Sequence, residues 1–368
     1  MSFFLIIISL FVAIITATTL NRKWPRVPLA MFQIGTGFIL FFMPVDFNSF
    51  DFNPELFMIV IIAPLLFSEG QNQSRQELWQ LRRPILLLAL VLVLVTVFAG
   101  GYFIHLLLPA MPLALTFALA AIITPTDMVA VKSILKDVKL PGNLTAILEG
   151  ESLINDMSGI VAFHMAIAVV LTGTFSVRDA AIDFVIITLG GTLVGVILGL
   201  IIVRLRQFFF AHDLYEIPML VLIQFLTPYF IYMAAEHFEL SGVLAVVAAG
   251  IIHGIERDRF QKTTTKLKII TDNTWTVMSY ALNGLVFVIL GFMLPRVFLG
   301  LRGNTETPLT TMFFIIIAIF VVISFVRWAW VFLFYKTFTE KRIHPMRRLF
   351  LEYIQPLSYT KLKQNPNF

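Results

Sequence analysis

Two aspartates stand in largely apolar segments of membrane-spanning length. Asp127 closes the run Thr124, Pro125, Thr126, Asp127, and Asp156 closes the run EGESLIND at 149–156. A carboxylate at mid-membrane costs about 2.5 to 3.5 kcal/mol on insertion scales, so it marks a functional site by default. Burial favours the protonated form of a carboxyl group, and a bound cation favours the ionised form. A proton and a cation therefore compete for the same oxygens, and that competition couples their movements without a further energy source.

Pro125 supplies the second half of the chemistry. It has no N–H, its ring clashes with the preceding turn, and it pushes Thr124 toward an extended conformation. The helix is expected to open here and release carbonyls such as those of Ala121 and Ile122. Freed carbonyls at membrane depth are tolerated only inside protein or beside a watery cavity, where together with a carboxylate they suit a hard cation. The plainer alternative is a proline kink with the threonine hydroxyls bonded back to their own helix; it accounts for Pro125 and leaves Asp127 unexplained.

In the second run Glu151 and Asn155 are four residues apart, as are Ser152 and Asp156, so both pairs share one broad helix face. Gly150, Ser158 and Gly159 are small enough to let another helix come close. Glu149 sits near the helix start, where water and the positive end of the helix dipole satisfy it; Asp156 is too deep for that. A third buried charge, Arg327, lies in 318-AIFVVISFVRWAWVFLF-334 between apolar flanks. An unpaired guanidinium there is costly, and Glu151 is the partner expected for it.

The elements that must position these groups are membrane helices. The 368 residues are 58% hydrophobic and 13% charged, with a mean hydropathy of +0.89, outside the balance of a soluble domain. Apolar blocks of about 20 residues, the length a bilayer requires, fall at 2–19, 27–43, 54–70, 84–108, 112–135, 144–172, 181–203, 215–235, 240–255, 272–295 and 309–337. The first lacks a basic leader and a cleavage site, so it is read as a retained helix. A helix N-cap is expected at Asn143, after Pro141 and Gly142.

Lysine and arginine concentrate in the odd-numbered loops, with Arg22, Lys23 and Arg26 in the first and Arg257, Arg259, Lys262, Lys266 and Lys268 in the ninth. The positive-inside rule then puts the N-terminus outside and the basic tail, 339–368, in the cytoplasm. Membrane lipid is the expected partner, and the basic clusters need no nucleic acid. Cysteine is absent, which excludes disulfides and thiolate metal centres, and no cofactor is expected.

TPTD at 124–127, EGESLIND at 149–156 and Arg327, in this order of apolar spans, resemble the monovalent cation:proton antiporter superfamily, in particular its electroneutral sodium/proton exchangers. EGES followed by L-x-N-D is the specific signal. The apolar blocks make this an all-α integral membrane protein of about eleven transmembrane helices, and the resemblance implies an inverted-repeat antiporter fold with a broken fifth helix, in a family that usually has thirteen. It implies a homodimer in which a core domain (83–205 and 308–338) moves against a scaffold and dimerisation domain (1–82 and 206–307). Asp127 and Asp156 would bind Na⁺ or Li⁺ and the proton, with Ser152 and the Thr126 carbonyl as further ligands. Asn155 would hold the crossing at Thr124 and Pro125, and Glu151 would pair with Arg327. The Asn-Asp pair is associated with one-for-one exchange, and the role implied is pH and sodium homeostasis at the cell membrane.

The end of the chain departs from the pattern. The family has a second broken helix that crosses the fifth, and the sequence turns polar after Phe338 with no such segment. The second repeat is thus expected to be incomplete, and a truncated, transport-inactive relative is the alternative reading. An intramembrane aspartyl protease is a remote one, since its Gly-x-Gly-Asp motif is missing at both aspartates.

Overall fold

The structure, a computed structural model, describes residues 2–43, 53–126, 131, 142–172, 177–260, 265–304 and 309–334. These residues form helices and connecting turns, without a strand among them. In chain order the helices are α1 (Ser2–Lys23), α2 (Leu29–Phe41), α3 (Pro54–Asn72), α4 (Arg75–Gln80), α5 (Arg82–Leu107), α6 (Leu113–Ile123), α7 (Gly142–Thr172), α8 (Val177–Ala211), α9 (Ile217–His237), α10 (Gly242–Phe260), α11 (Thr265–Asn304) and α12 (Leu309–Leu333). Eight are long and apolar enough to cross a membrane; α2, α6 and the Gly242–Glu256 part of α10 are shorter apolar helices.

Local sequence explains the ends. The Asn53 side chain accepts from the backbone N–H groups of Glu55 and Leu56 at 2.8 and 3.2 Å, and Pro54 occupies the first turn, where its missing N–H costs nothing. α1 ends in Arg22 and Lys23, cations that suit the negative end of the helix dipole. α7 begins at Gly142, so Asn143 lies within the helix and is not its cap, and the helix starts two residues before the expected 144. The short α4 was not visible as an apolar block; Arg82 holds its end by donating to the Trp79 carbonyl at 2.7 Å while lying over the Trp79 ring. Met58–Ile62 within α3 and Leu87–Leu92 within α5 are wound as π-helix.

Two groups of helices have separate cores. In one, Ile6 and Leu10 of α1, Leu65 of α3 and Val288 and Phe292 of α11 form one cluster; Phe67 of α3, Ile231 of α9, Val246 of α10 and Trp275 of α11 form another. The backbones touch here. A Cβ on Gly37 of α2 would collide with the Val288 carbonyl, and one on Gly291 of α11 with the Ile34 carbonyl. Gly195 of α8 meets the Ala245 carbonyl of α10 in the same way, so α8 packs on this group although most of it precedes the boundary expected at 205. In the other group Val93, Val97 and Ile104 of α5, Ala120 and Ala121 of α6 and Ile319 of α12 pack together, with Leu88, Leu92 and Ile147 beside them. α7 bridges the groups, since its Leu153 is buried in the cluster around Phe67.

Candidate ion-binding site

α6 stops at Ile123; Thr124 keeps helical dihedrals (φ −68°, ψ −40°) and not the extended conformation expected before a proline, and the helix is interrupted at Pro125 and Thr126. The segment expected to continue to 135 is thus interrupted at the proline. Asp127 lies outside the described residues, as does the tail 339–368. Thr124 is turned back on its own helix: its N–H and its hydroxyl both donate to the Ala120 carbonyl, at 3.1 and 2.7 Å. That capping leaves the opened chain beyond it to other partners.

Those partners come from one face of α7. Glu151, Ser152, Asn155, Asp156 and Gly159 follow helical spacing, so they share a stripe. The Ser152 hydroxyl donates to the Thr126 carbonyl at 3.1 Å. The Asn155 side-chain N–H donates to Thr126 Oγ1, also at 3.1 Å. Gly159 permits the approach, because a Cβ there would fall 2.5 Å from Pro125 Cγ and 3.0 Å from the Ala121 carbonyl oxygen. Glu151 and Asn155 are fully buried.

Arg327 completes the constellation from α12. It is ion-paired with Glu151 and its Nη2 donates to Thr126 Oγ1 at 3.1 Å. One hydroxyl oxygen therefore accepts from both Asn155 and Arg327 and ties three helices at the break. The sequence reading gave Thr126 only a main-chain role; its side chain is the junction.

Ser152, Asp156 and Pro125 line a cavity of about 370 Å³ between the two helix groups. Its far wall brings in two polar groups that the sequence did not single out, Glu69 of α3 and Asn283 of α11. Glu69 lies close to the end of its apolar block, where a carboxylate reads as an interfacial residue, and only the packing of α3 at the centre of the protein turns it inward. The remaining lining is largely apolar, including Phe57, Leu66 and Phe163. A partly open, mostly apolar space with carboxylates from both helix groups, beside a carbonyl freed by a helix break, is suited to hold a small cation or a proton in its place.

The family described as "Sodium/hydrogen exchanger, transmembrane" matches residues 6–354. The chain is 44% identical over 91% of its length to a protein of Bacillus subtilis (strain 168) named "Sodium, potassium, lithium and rubidium/H(+) antiporter", of which the match covers 50%. It is 32% identical over 90% of its length to the "Uncharacterized Na(+)/H(+) exchanger YjcE" of Escherichia coli (strain K12), covering 61% of that protein. The chain thus spans about half the length of its Bacillus relatives. Its fold resembles that of the sodium proton antiporter MjNhaP1 from Methanocaldococcus jannaschii, with a TM-score of 0.63, 18% identity and coverage of 85% and 82% of the two chains. With nearly its whole length matched, this multi-pass membrane protein belongs to the sodium/hydrogen exchanger family.

Proposed function

We propose that this chain is a secondary antiporter that exchanges Na⁺ or Li⁺ for H⁺ across the cell membrane, one for one. The observation that carries the proposal is the junction at Thr126, which sets the Ser152 hydroxyl against the Thr126 carbonyl at 3.1 Å on the wall of the cavity that also contains Asp156. Asp156 and Asp127 supply the charge that the cation neutralises, and Ser152 and the Thr126 carbonyl supply neutral oxygens. The proton occupies the same carboxylates when the cation leaves. The name of the Bacillus subtilis relative extends the cargo to K⁺ and Rb⁺, since all four are hard cations that accept oxygen ligands.

Asn155, Thr124 and Pro125 keep the break open, and the Glu151–Arg327 pair holds α7 to α12. Because Glu151 is already neutralised by Arg327, it is unavailable to the cargo, and the charge at the site comes from the aspartates with Glu69 across the cavity. The separate cores support a core formed by α5–α7 and α12 moving against a scaffold of α1–α3 and α9–α11 within a homodimer. The odd loops and the basic tail face the cytoplasm, and the N-terminus faces outward. A family of exchangers does no peptide-bond chemistry, and the protease reading is dropped.

The test is sodium-induced collapse of a preformed pH gradient in inside-out vesicles containing the chain, beside Asp156→Asn. A response abolished by the substitution is expected. No response from this chain, with a response from a version extended to the length of its relatives, would assign the chain to the inactive alternative. Failure of both would overturn the exchanger reading.

A further inference from the structure

We infer that Asn283 contacts the transported cation from the scaffold side, supplying a neutral oxygen opposite Asp156. The inference rests on the exchange reading given above and adds a residue to its site. Asn283 lies in the middle of α11, in the apolar run 281-ALNGLVFVILGF-292, and is the one polar side chain that α11 contributes to the cavity lining; Val286 and Phe287 are its other contributions. The Asn283 side chain is only half-buried, so its amide is open to what occupies the cavity. Among the described residues the Asn283 side chain has no partner, and it faces the same cavity as Ser152 and Asp156.

The orientation of this face is fixed one turn away. The Ser279 hydroxyl donates to Ser68 Oγ at 3.1 Å, which ties α11 to α3 directly beside Glu69. About 100° around α11 from Asn283, Gly284 packs against the Ile14 side chain, so the helix cannot rotate Asn283 out of the cavity without disturbing that contact. The scaffold thus presents Glu69 and Asn283 to the space that Asp156 and Ser152 close from the core side. Asn283 carries no charge and binds no proton, so its contribution falls on the cation alone. A carboxylate in the same place would bind both and alter the balance between them.

The experiment is equilibrium binding of ²²Na⁺ to the purified full chain, measured across a range of pH for the unmutated protein, Asn283→Leu, Asn283→Asp and Asp156→Asn. Losing one oxygen contact to a charged ligand is expected to weaken Na⁺ binding by roughly tenfold in Asn283→Leu. The pH at which the apparent Kd doubles stays where it is, because that pH reports the proton affinity of the aspartates. Asn283→Asp, which keeps an oxygen at this position, restores binding at alkaline pH. A general distortion of the site would instead shift the pH midpoint and would not be rescued by aspartate. Unchanged binding in Asn283→Leu, with binding lost in Asp156→Asn, would overturn the role of Asn283 and leave the exchange site standing. Absence of binding by the unmutated chain, or binding indifferent to Asp156→Asn, would overturn both.

Discussion

Arg327 reaches Thr126 with a 3.1 Å hydrogen bond from Nη2 to Oγ1, and the same nitrogen pairs with Glu151. A single guanidinium thus neutralises a carboxylate that is 3% exposed and holds the first residue past the proline. Removing one partner of a buried pair leaves the other charge uncompensated, at a cost of about 3 to 5 kcal/mol. Because the Arg327 side chain is 28% exposed, the lower end of that range is expected for Arg327→Gln, read as a fall in the thermal unfolding midpoint in detergent. Adding Glu151→Gln removes the stranded carboxylate and recovers most of the loss. If the double variant is as unstable as the sum of the two single ones, the pair is not the source of the effect.

Thr126→Val keeps the shape of the side chain and deletes the oxygen that accepts from Asn155 and Arg327. Asn155 is fully buried, so its amide loses a partner that water cannot replace, at about 1 to 3 kcal/mol. The Ser152 bond goes to the main-chain carbonyl and is retained. Thr126→Ser restores the hydroxyl and is expected to recover both stability and exchange. Equal behaviour of the valine and serine variants in a thermal melt would show that the hydroxyl does not hold the junction.

Much of this arrangement was legible because each part obeys a local rule. Pro125 removes a backbone donor in mid-span, although Pro228 and Pro295 lie inside α9 and α11 without ending them; spacing of four puts Glu151 and Asn155 on one face, and a mid-membrane arginine requires an acid. What the sequence could not supply was the opposite wall. Asn283 is one polar residue in an apolar run, and nothing in its neighbours distinguishes a residue facing a cavity from one facing another helix. The side of α8 was also unreadable: a helix apolar all round carries no signal of which neighbours it packs on, and Gly195 against the Ala245 carbonyl decides it only in three dimensions. The π-helical turns in α3 and α5 leave no mark in hydropathy.

Gly159→Ala tests the close approach of α7 to the helix break. The added carbon would meet Pro125 Cγ at 2.5 Å and the Ala121 carbonyl at 3.0 Å, and neither a proline ring nor a backbone carbonyl yields easily. Overpacking of this kind costs about 1 to 3 kcal/mol, and it displaces α7 from the segment that Ser152 and Asn155 must reach. Gly35→Ala is the matched control, since its Cβ meets nothing within 4 Å; it is expected to be neutral or to stabilise α2 by up to about 1 kcal/mol through helix propensity. Exchange that survives in Gly159→Ala at the rate of the Gly35→Ala control would mean that the contact with Pro125 is not required for transport.

The last expectation concerns the kinetics of a shared site. If the proton and the cation use the same carboxylates, lowering the pH removes the form that binds Na⁺ without removing the protein. Below the proton affinity of the site, the apparent KM for Na⁺ should then rise roughly tenfold per pH unit, while the rate at saturating Na⁺ stays level. Two separate sites would produce the other pattern, a maximal rate that falls with pH at constant KM. Neutralising Glu69, the carboxylate on the scaffold wall, separates these further. Glu69→Gln removes attraction for the cation and is expected to raise KM most at alkaline pH, where the carboxylate it replaces is ionised, whereas Asp156→Asn abolishes the competition together with the exchange. Proteoliposomes loaded across several pH values, with Na⁺ titrated at each, give all of these quantities in one series.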